Sequence, residues 1–411
     1  MWTVLRQRNF GLLWLAGFLA LSGTWAFYAA MPIYILDQTG SVFYSGAVWT
    51  LIAIPGIVIG PVAGVWVDRW DRRRVMLWCN IAQAIAASVL LVVGGSHGVA
   101  IATAVLLAQA IITSLFSPAE NALLPTVVSD EDLPTANALN SLNDGLARIA
   151  GPFIGAVLYA WIDIRGAALV NVIAFLVAAG LISLVLAPGT PPKSDDHEHE
   201  STMQSLRVAI GYIRNSRLLT VLFLVAALSG IADAPLTAAL ASFIRNTLDR
   251  SAADFGLFLS LRGVAGIAGG LVIGQIASRF RMDRLLIASL FILAIEIAFI
   301  AIARDFWVFV GLMLVVGPVF AAMATAFPTL LQRGSQDAWR GRLFALYGAM
   351  AGIIFAVSSL AGSVIAAAFS PTASVALSAG LYLVAAIVAL WLLPAAVAHN
   401  QLPSQDSVDA H

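Results

Sequence analysis

Five ionisable residues lie inside apolar stretches of this chain: Asp144, Arg148, Asp233, Arg262 and Glu296. A charge near the centre of a membrane span costs at least about 2.5–3.5 kcal/mol, so retained charges point to function by default. Asp144 and Arg148 are four residues apart and share a helical face, where they can neutralise each other or present Arg148 to an anion. Asp233 stands two residues before Pro235, which disturbs local helix hydrogen bonding. A carboxylate buried there can exchange a proton near neutral pH, with Arg262 as a candidate counter-ion. Glu296 reads as protonated or locally paired.

Other chemistries find no residues. His97, His197, His199, His399 and His411 all fall in expected loops or the tail. They form no cluster with acids suited to an integral membrane enzyme, so no catalytic residue, metal or cofactor is expected. The His197-Glu-His-Glu200 run reads as solvated linker. Cys79 is the lone cysteine and excludes a disulfide framework. A phosphate-binding loop ends in Gly-Lys-Ser/Thr, yet the single lysine lies in Pro191-Pro192-Lys193-Ser194, so this chain does not itself hydrolyse ATP. Zero net charge argues against nucleic-acid binding.

Of the 411 residues 60% are hydrophobic and only 11% charged. A soluble chain carries about 25% charged residues. Apolar runs long enough to span a bilayer fall near 10–36, 43–67, 75–95, 99–124, 138–160 and 166–188. Six more lie near 218–244, 253–278, 285–303, 306–331, 341–369 and 371–394. The sequence thus predicts an all-α membrane protein of twelve helices, divided into bundles at 1–188 and 218–394. Between them 189–217 reads as a flexible linker closing in an amphipathic surface helix, and 395–411 as a disordered tail. The first span is too long for a signal peptide and is expected to be retained.

With the N-terminus inside, the cytoplasmic segments hold sixteen basic residues and the opposite loops four: Arg165, Arg245, Arg250 and Arg304. That bias predicts two cytoplasmic termini. The absence of an Asn-x-Ser/Thr sequon, one lysine beside 21 arginines, and alanine-rich spans suit a bacterial inner membrane.

The segment Gly60-Pro-Val-Ala-Gly64-Val-Trp-Val-Asp68-Arg69-Trp-Asp71-Arg72-Arg73-Arg74 joins two glycines, spaced for close helix approach, to a burst of arginine. A weaker copy starts 210 residues later at Gly270, and Ser41, Gly46 and Gly56 fall on Ser251, Gly256 and Gly266 at the same offset. Ala20-Leu-Ser-Gly23 recurs as Ala227-Leu-Ser-Gly230, and Pro118 matches Pro328. The chain therefore reads as a parallel duplication. That architecture places a substrate site between the halves near the midplane.

The loop Gly64-x-x-x-Asp68-Arg69-x-Asp71-Arg72-Arg73 resembles the signature between the second and third helices of the major facilitator superfamily, with Asp71 where that signature has glycine. Gly151-Pro152-Phe-Ile-Gly155 in the fifth span resembles the core of the family's antiporter motif. Its last glycine is replaced by Ala156 and its upstream glycines are missing. Ser117-Pro118-Ala119 through Leu124-Pro125 and Ala136-Asn-Ala-Leu139 is similar to the branch of enterobactin exporters, macrolide efflux pumps and lysophospholipid transporters.

The resemblance implies two six-helix bundles related by a pseudo-two-fold axis along the membrane normal. It implies a monomer in the bilayer that exports hydrophobic or amphipathic small molecules, driven by proton entry, with lysophospholipid movement as the alternative. Asp68 would brace a cytoplasmic gate against the start of the eleventh span near Arg340 and Arg342, with Glu120 a candidate partner for Arg69 or Arg72. The spans expected to line the cavity hold few polar groups, among them Gln109, Thr113 and Thr325. Trp25 and Tyr28, three residues apart, could also line it, although packing is an alternative reading of both. So sparse a polar set suits an amphipathic rather than a sugar-like solute.

Overall fold

A computed structural model describes residues 2–67, 70–92, 97–186 and 202–401. Among them, twelve helices are long and apolar enough to cross a membrane. The short α1 (Trp2–Leu5) precedes α2 (Arg8–Thr39), α3 (Val42–Val67), α4 (Arg72–Val92), α5 (Gly98–Leu123), α6 (Leu133–Ile162) and α7 (Ile164–Ser183). A surface helix, α8 (Thr202–Asn215), leads into α9 (Arg217–Ser242), α10 (Ala252–Ile276), α11 (Met282–Ile302), α12 (Phe306–Arg333), α13 (Asp337–Ala368) and α14 (Pro371–Gln401). With twelve spans, the start of α2 and the end of α14 lie on the same side of this bundle; the other side is called distal below. The His197-Glu-His-Glu200 run and Lys193 lie outside the described residues.

The helix pairing shows the duplication. In the first half α2 packs on α6 and α7, α4 on α5 and α7, and α3 on α5. The second half repeats every pairing six spans later: α9 on α13 and α14, α11 on α12 and α14, α10 on α12. Between halves α3 lies on α13 and α6 on α10, contacts that a two-fold exchange converts into one another. Two six-helix bundles are therefore related by a pseudo-two-fold axis along the membrane normal.

Local chemistry repeats as well. Ser41 accepts the amide of Tyr44 at 3.3 Å to start α3, and its counterpart Ser251 accepts the amide of Asp254 at 3.2 Å to start α10. Serine at this position satisfies an N–H that the first helical turn leaves unpaired. Gly46 and Gly256 both sit where the halves touch. A Cβ on Gly46 would lie 2.5 Å from Ser363 Oγ, and one on Gly256 would collide with the Ala156 side chain.

Two expectations need correction. The tail reading began at residue 395, but α14 continues through Gln401, because Ala395 to Ala398 favour helix and Ala396 and Val397 are buried. The glycine pair was expected to pack closely. Instead a Cβ on Gly60, or on its repeats Gly270 and Gly274, would meet open space. None of these three positions makes a close helix contact here.

Gly155 lets α6 reach α2 at backbone distance, since a Cβ there would collide with the Ala26 carbonyl. Gly155→Val should lower stability by about 1–3 kcal/mol, as overpacking against backbone does. Gly180→Val, facing open space, should not. Thermal unfolding of the purified variants checks the contrast, and equal shifts would contradict it.

Candidate functional site

A cavity of about 480 Å³ lies between the two halves. Its wall takes Trp25 and Ala29 from α2, Trp49 from α3, Gly145, Arg148 and Pro152 from α6, and Thr237 from α9. Leu259, Arg262, Gly263, Gly266 and Ile267 of α10 face them, with Val316, Gly317, Phe320 and Ala321 of α12 and Phe355 of α13. Among the described residues, Arg148 and Arg262 are the charged ones on its wall.

Arg148 is fixed from two directions. Its Nε donates to Asp144 Oδ2 at 2.9 Å, and its guanidinium lies 4.4 Å from the centre of the Trp25 ring. The expected ion pair forms, and Arg148 also lines the cavity wall. Trp25 in turn meets Tyr28 edge-on at 6.0 Å. Of the expected cavity residues only Trp25 lines this wall. Tyr28 is buried against Thr113, and Gln109 is buried while donating to Asn171 Oδ1 at 2.6 Å. Thr113 and Thr325 turn their hydroxyls back to carbonyls of their own helices, Gln109 O and Ala321 O. A short hydroxyl inside a helix satisfies itself most readily this way.

Asp233 is not isolated. Tyr382 of α14 donates its hydroxyl to Asp233 Oδ1 at 3.3 Å, and the charge of Arg262 acts on the same hydroxyl. Arg262 makes no ion pair with Asp233, so the counter-ion role reduces to a contact shared through Tyr382. Asp233 lies one helical turn from Thr237, on the face that reaches the cavity. Pro235 disrupts the helix here as expected, and α14 repairs it. Ser378 donates to Ala232 O at 2.5 Å and accepts the Leu236 amide at 3.0 Å, while Ser374 donates to Pro235 O at 3.0 Å. Hydroxyls inserted into a backbone ladder hold a break that lipid could not solvate. Glu296 is 6% exposed, and its Oε2 has no hydrogen-bond partner among the described residues.

The antiporter-like segment works by packing in two directions. A Cβ on Gly151 would lie 2.5 Å from Ser22 O, so Gly151 and Gly155 seat α6 on α2. Pro152 and Ala156 face the cavity and α10. At the signature loop, Asp68 and Arg69 lie outside the described residues, as does any side-chain environment of Gly64. Arg72 donates to Ala122 O at 3.0 Å near the end of α5, and Arg73 donates to Ile182 O at 3.2 Å and to Ser183 O at the end of α7. Both therefore bind carbonyls at helix C-termini, where a cation is favoured. Asp71 accepts the Arg74 amide at 2.9 Å and caps α4, which gives its departure from glycine a local purpose.

Glu120 forms no ion pair with Arg72. Its carboxylate points at α2 and α6, where a Cβ on Gly17 would lie 3.1 Å from Oε1. Arg340 pairs with Asp337 at 2.7 Å on its own helix.

The distal end holds a cluster that the sequence did not single out. Asp37 at the end of α2 accepts Arg245 at 2.7 Å on Oδ1 and the Tyr159 hydroxyl at 2.9 Å on Oδ2, joining the two halves. Nearby, Thr50 donates to Ala356 O at 3.0 Å and Ser260 to Ile149 O at 2.7 Å. Asp37 and Arg245 thus join the halves at the distal end, and the other two contacts join them beside the wall residues Trp49, Phe355, Arg148 and Leu259. Toward the termini, by contrast, Gly60, Gly270, Gly341 and Gly348 border open space.

The model of the Major Facilitator Superfamily matches residues 13–333 and 222–407. The chain belongs to this superfamily. Macrolide efflux protein A of Streptococcus pyogenes is 24% identical over 330 residues, 78% of this chain and 80% of that protein. Multidrug resistance protein MdtG of Salmonella typhi is 23% identical over 393 residues, 93% of this chain and 94% of that protein. A bacterial homologue of the iron transporter ferroportin shares the fold. Its inward-facing structure gives a TM-score of 0.72 at 20% identity, and its outward-facing structure 0.60 at 19%. Each alignment covers 93% of this chain and 98% of that one. This member of the superfamily is thus a multi-pass membrane transporter.

A partly exposed ion pair is worth about 0.2–1 kcal/mol. Asp37→Asn should therefore raise the distally open population by up to about fivefold. The readout is labelling of Thr50→Cys, in a Cys79→Ser background, by an impermeant thiol reagent supplied from the distal side. Unchanged labelling would show that Asp37 does not hold the closure.

Proposed function

We propose that this transporter is a secondary exporter of amphipathic small molecules, drugs among them, that works by alternating access and is driven by proton entry. The observation that carries this reading is the cavity between the halves, sealed distally and bordered by open space toward the termini. With both termini in the cytoplasm of a bacterial inner membrane, that geometry is a loading state, ready to take solute from the cytoplasm or the inner leaflet. The positive-inside distribution of arginine supports the orientation. The better superposition on an inward-facing structure, 0.72 against 0.60, agrees with it.

The wall chemistry supports the solute class. Two tryptophans, two phenylalanines and several aliphatic residues surround two cations, with Thr237 the one neutral polar side chain. Relatives named for macrolide efflux and multidrug resistance point the same way. We also infer units at 1–188, 189–217 and 218–394, a monomer as the working state, and Asp68 with Arg69 as the cytoplasmic gate.

For coupling we propose Asp233. It stands at a break in α9 that serines of α14 hold open, next to a hydroxyl that also senses Arg262. A proton arriving there would change the field on both groups. Asp233→Asn should abolish accumulation against a gradient in reconstituted vesicles under an imposed proton gradient while leaving downhill exchange. Uphill accumulation at the parental rate would move the coupling role elsewhere, with Asp144 the next acid to replace.

A further inference from the structure

The cavity has an unusual charge arrangement for its apolar wall. Arg148 and Arg262 come from opposite halves, on helices that touch: a Cβ on Gly263 would lie 3.3 Å from the Arg148 carbonyl oxygen. Asp144 occupies only the Nε edge of Arg148 and is not part of the wall. Arg262 makes no hydrogen bond or ion pair with any described residue. A guanidinium carries five N–H donors, and in a cavity open toward the termini most of them are left for water or for a solute. Among the described residues, no carboxylate lines the wall.

We propose that this cavity recognises an amphipathic anion. A carboxylate, phosphate or sulfonate of the solute bridges Arg148 and Arg262, and its apolar body lies against Trp25, Trp49, Phe320 and Phe355. This rests on reading the cavity as the solute site of the exporter. The physics favours an anion over a neutral solute, because Arg262 has no ion-pair partner among the described residues and Arg148 meets Asp144 only through its Nε edge, so a negative group gains charge-assisted hydrogen bonds from both. Planar guanidinium forks match such groups in two-point contacts. The Trp25 ring beneath Arg148 holds that guanidinium while its terminal nitrogens remain available. Because the arginines belong to different halves, a bridging anion would also tie the halves together in the loading state. Free anionic solutes and lipid headgroups share this chemistry.

The test uses the full chain in phosphatidylcholine nanodiscs and three probes with one ring system: 2-naphthoate, 2-naphthylmethanol and 2-naphthylmethylammonium. Charge-assisted hydrogen bonds predict that the anion binds at least about tenfold more tightly than the alcohol, and the cation most weakly. Arg262→Gln and Arg148→Gln should each remove about tenfold of the anion's advantage while leaving the alcohol unchanged. Arg262→Lys should retain part of it. If a glutamine variant does not fold, the three-probe series on the parental chain and the lysine variant still decide. Equal binding of the probes, or preference for the cation, overturns the proposal.

Displacement of naphthoate by lysophosphatidylglycerol would identify lipid as the source of the anion, and no displacement would leave a free solute; both keep the anion site. Vesicle flux separates this proposal from the exporter reading. Arginine-dependent naphthoate binding without any flux would sink export and keep the site. Export of the alcohol or the cation that is indifferent to both glutamine variants would keep export and sink the site.

Discussion

Close backbone packing between the two halves holds this molecule shut at one end. Lipid gives helices no hydrophobic drive to associate, so the contact must come from van der Waals fit and a few hydrogen bonds. Gly46 and Gly256 provide that fit at equivalent places, one against Ser363 and the other against Ala156. Gly151 and Gly155 fix α6 on α2 at the same time, so α6 transmits the position of one half to α10 of the other. A contact built from shape can be made at one end and released as a unit, which is what a rocking motion around a central cavity requires.

The polar groups divide into those that hold structure and those left for solute or protons. Gln109, Asn171, Ser374 and Ser378 are spent on packing: each bridges helices within one half or repairs a broken ladder. Arg72 and Arg73 are likewise bound to carbonyls at helix ends. Arg262 is the exception. It carries a full charge to the cavity wall and has no ion-pair partner among the described residues. Asp233 shares the Tyr382 hydroxyl with it.

Much of this was legible in the sequence, because duplication leaves marks at a fixed offset. Ser41 and Ser251 start equivalent helices, Gly46 and Gly256 touch the opposite half, and Asp144 with Arg148 pair across one turn. The cavity wall was harder to read. Trp49, Phe320 and Phe355 are apolar residues in apolar spans, and nothing in their types separates a cavity face from a lipid face. Polar residues misled for the converse reason: Gln109, Thr113 and Thr325 satisfy themselves on neighbouring helices or their own. The distal cluster was hidden because Asp37, Tyr159 and Arg245 lie far apart in the chain. Only the approach of α2, α6 and the helical turn Phe243–Thr247 that follows α9 brings them together.

Reciprocal movement of the two ends is the central claim, and pulsed electron–electron distance measurements test it most directly. In a Cys79→Ser background, one spin-label pair at Trp161 and Ala253 reports the distal ends of α6 and α10, and another at Asn137 and Gln275 reports their opposite ends. Lowering the pH and adding a transported solute should lengthen the distal distance while shortening the other, with both populations shifting together. Two ends that open and close independently, or a distal pair fixed under every condition, would contradict the account.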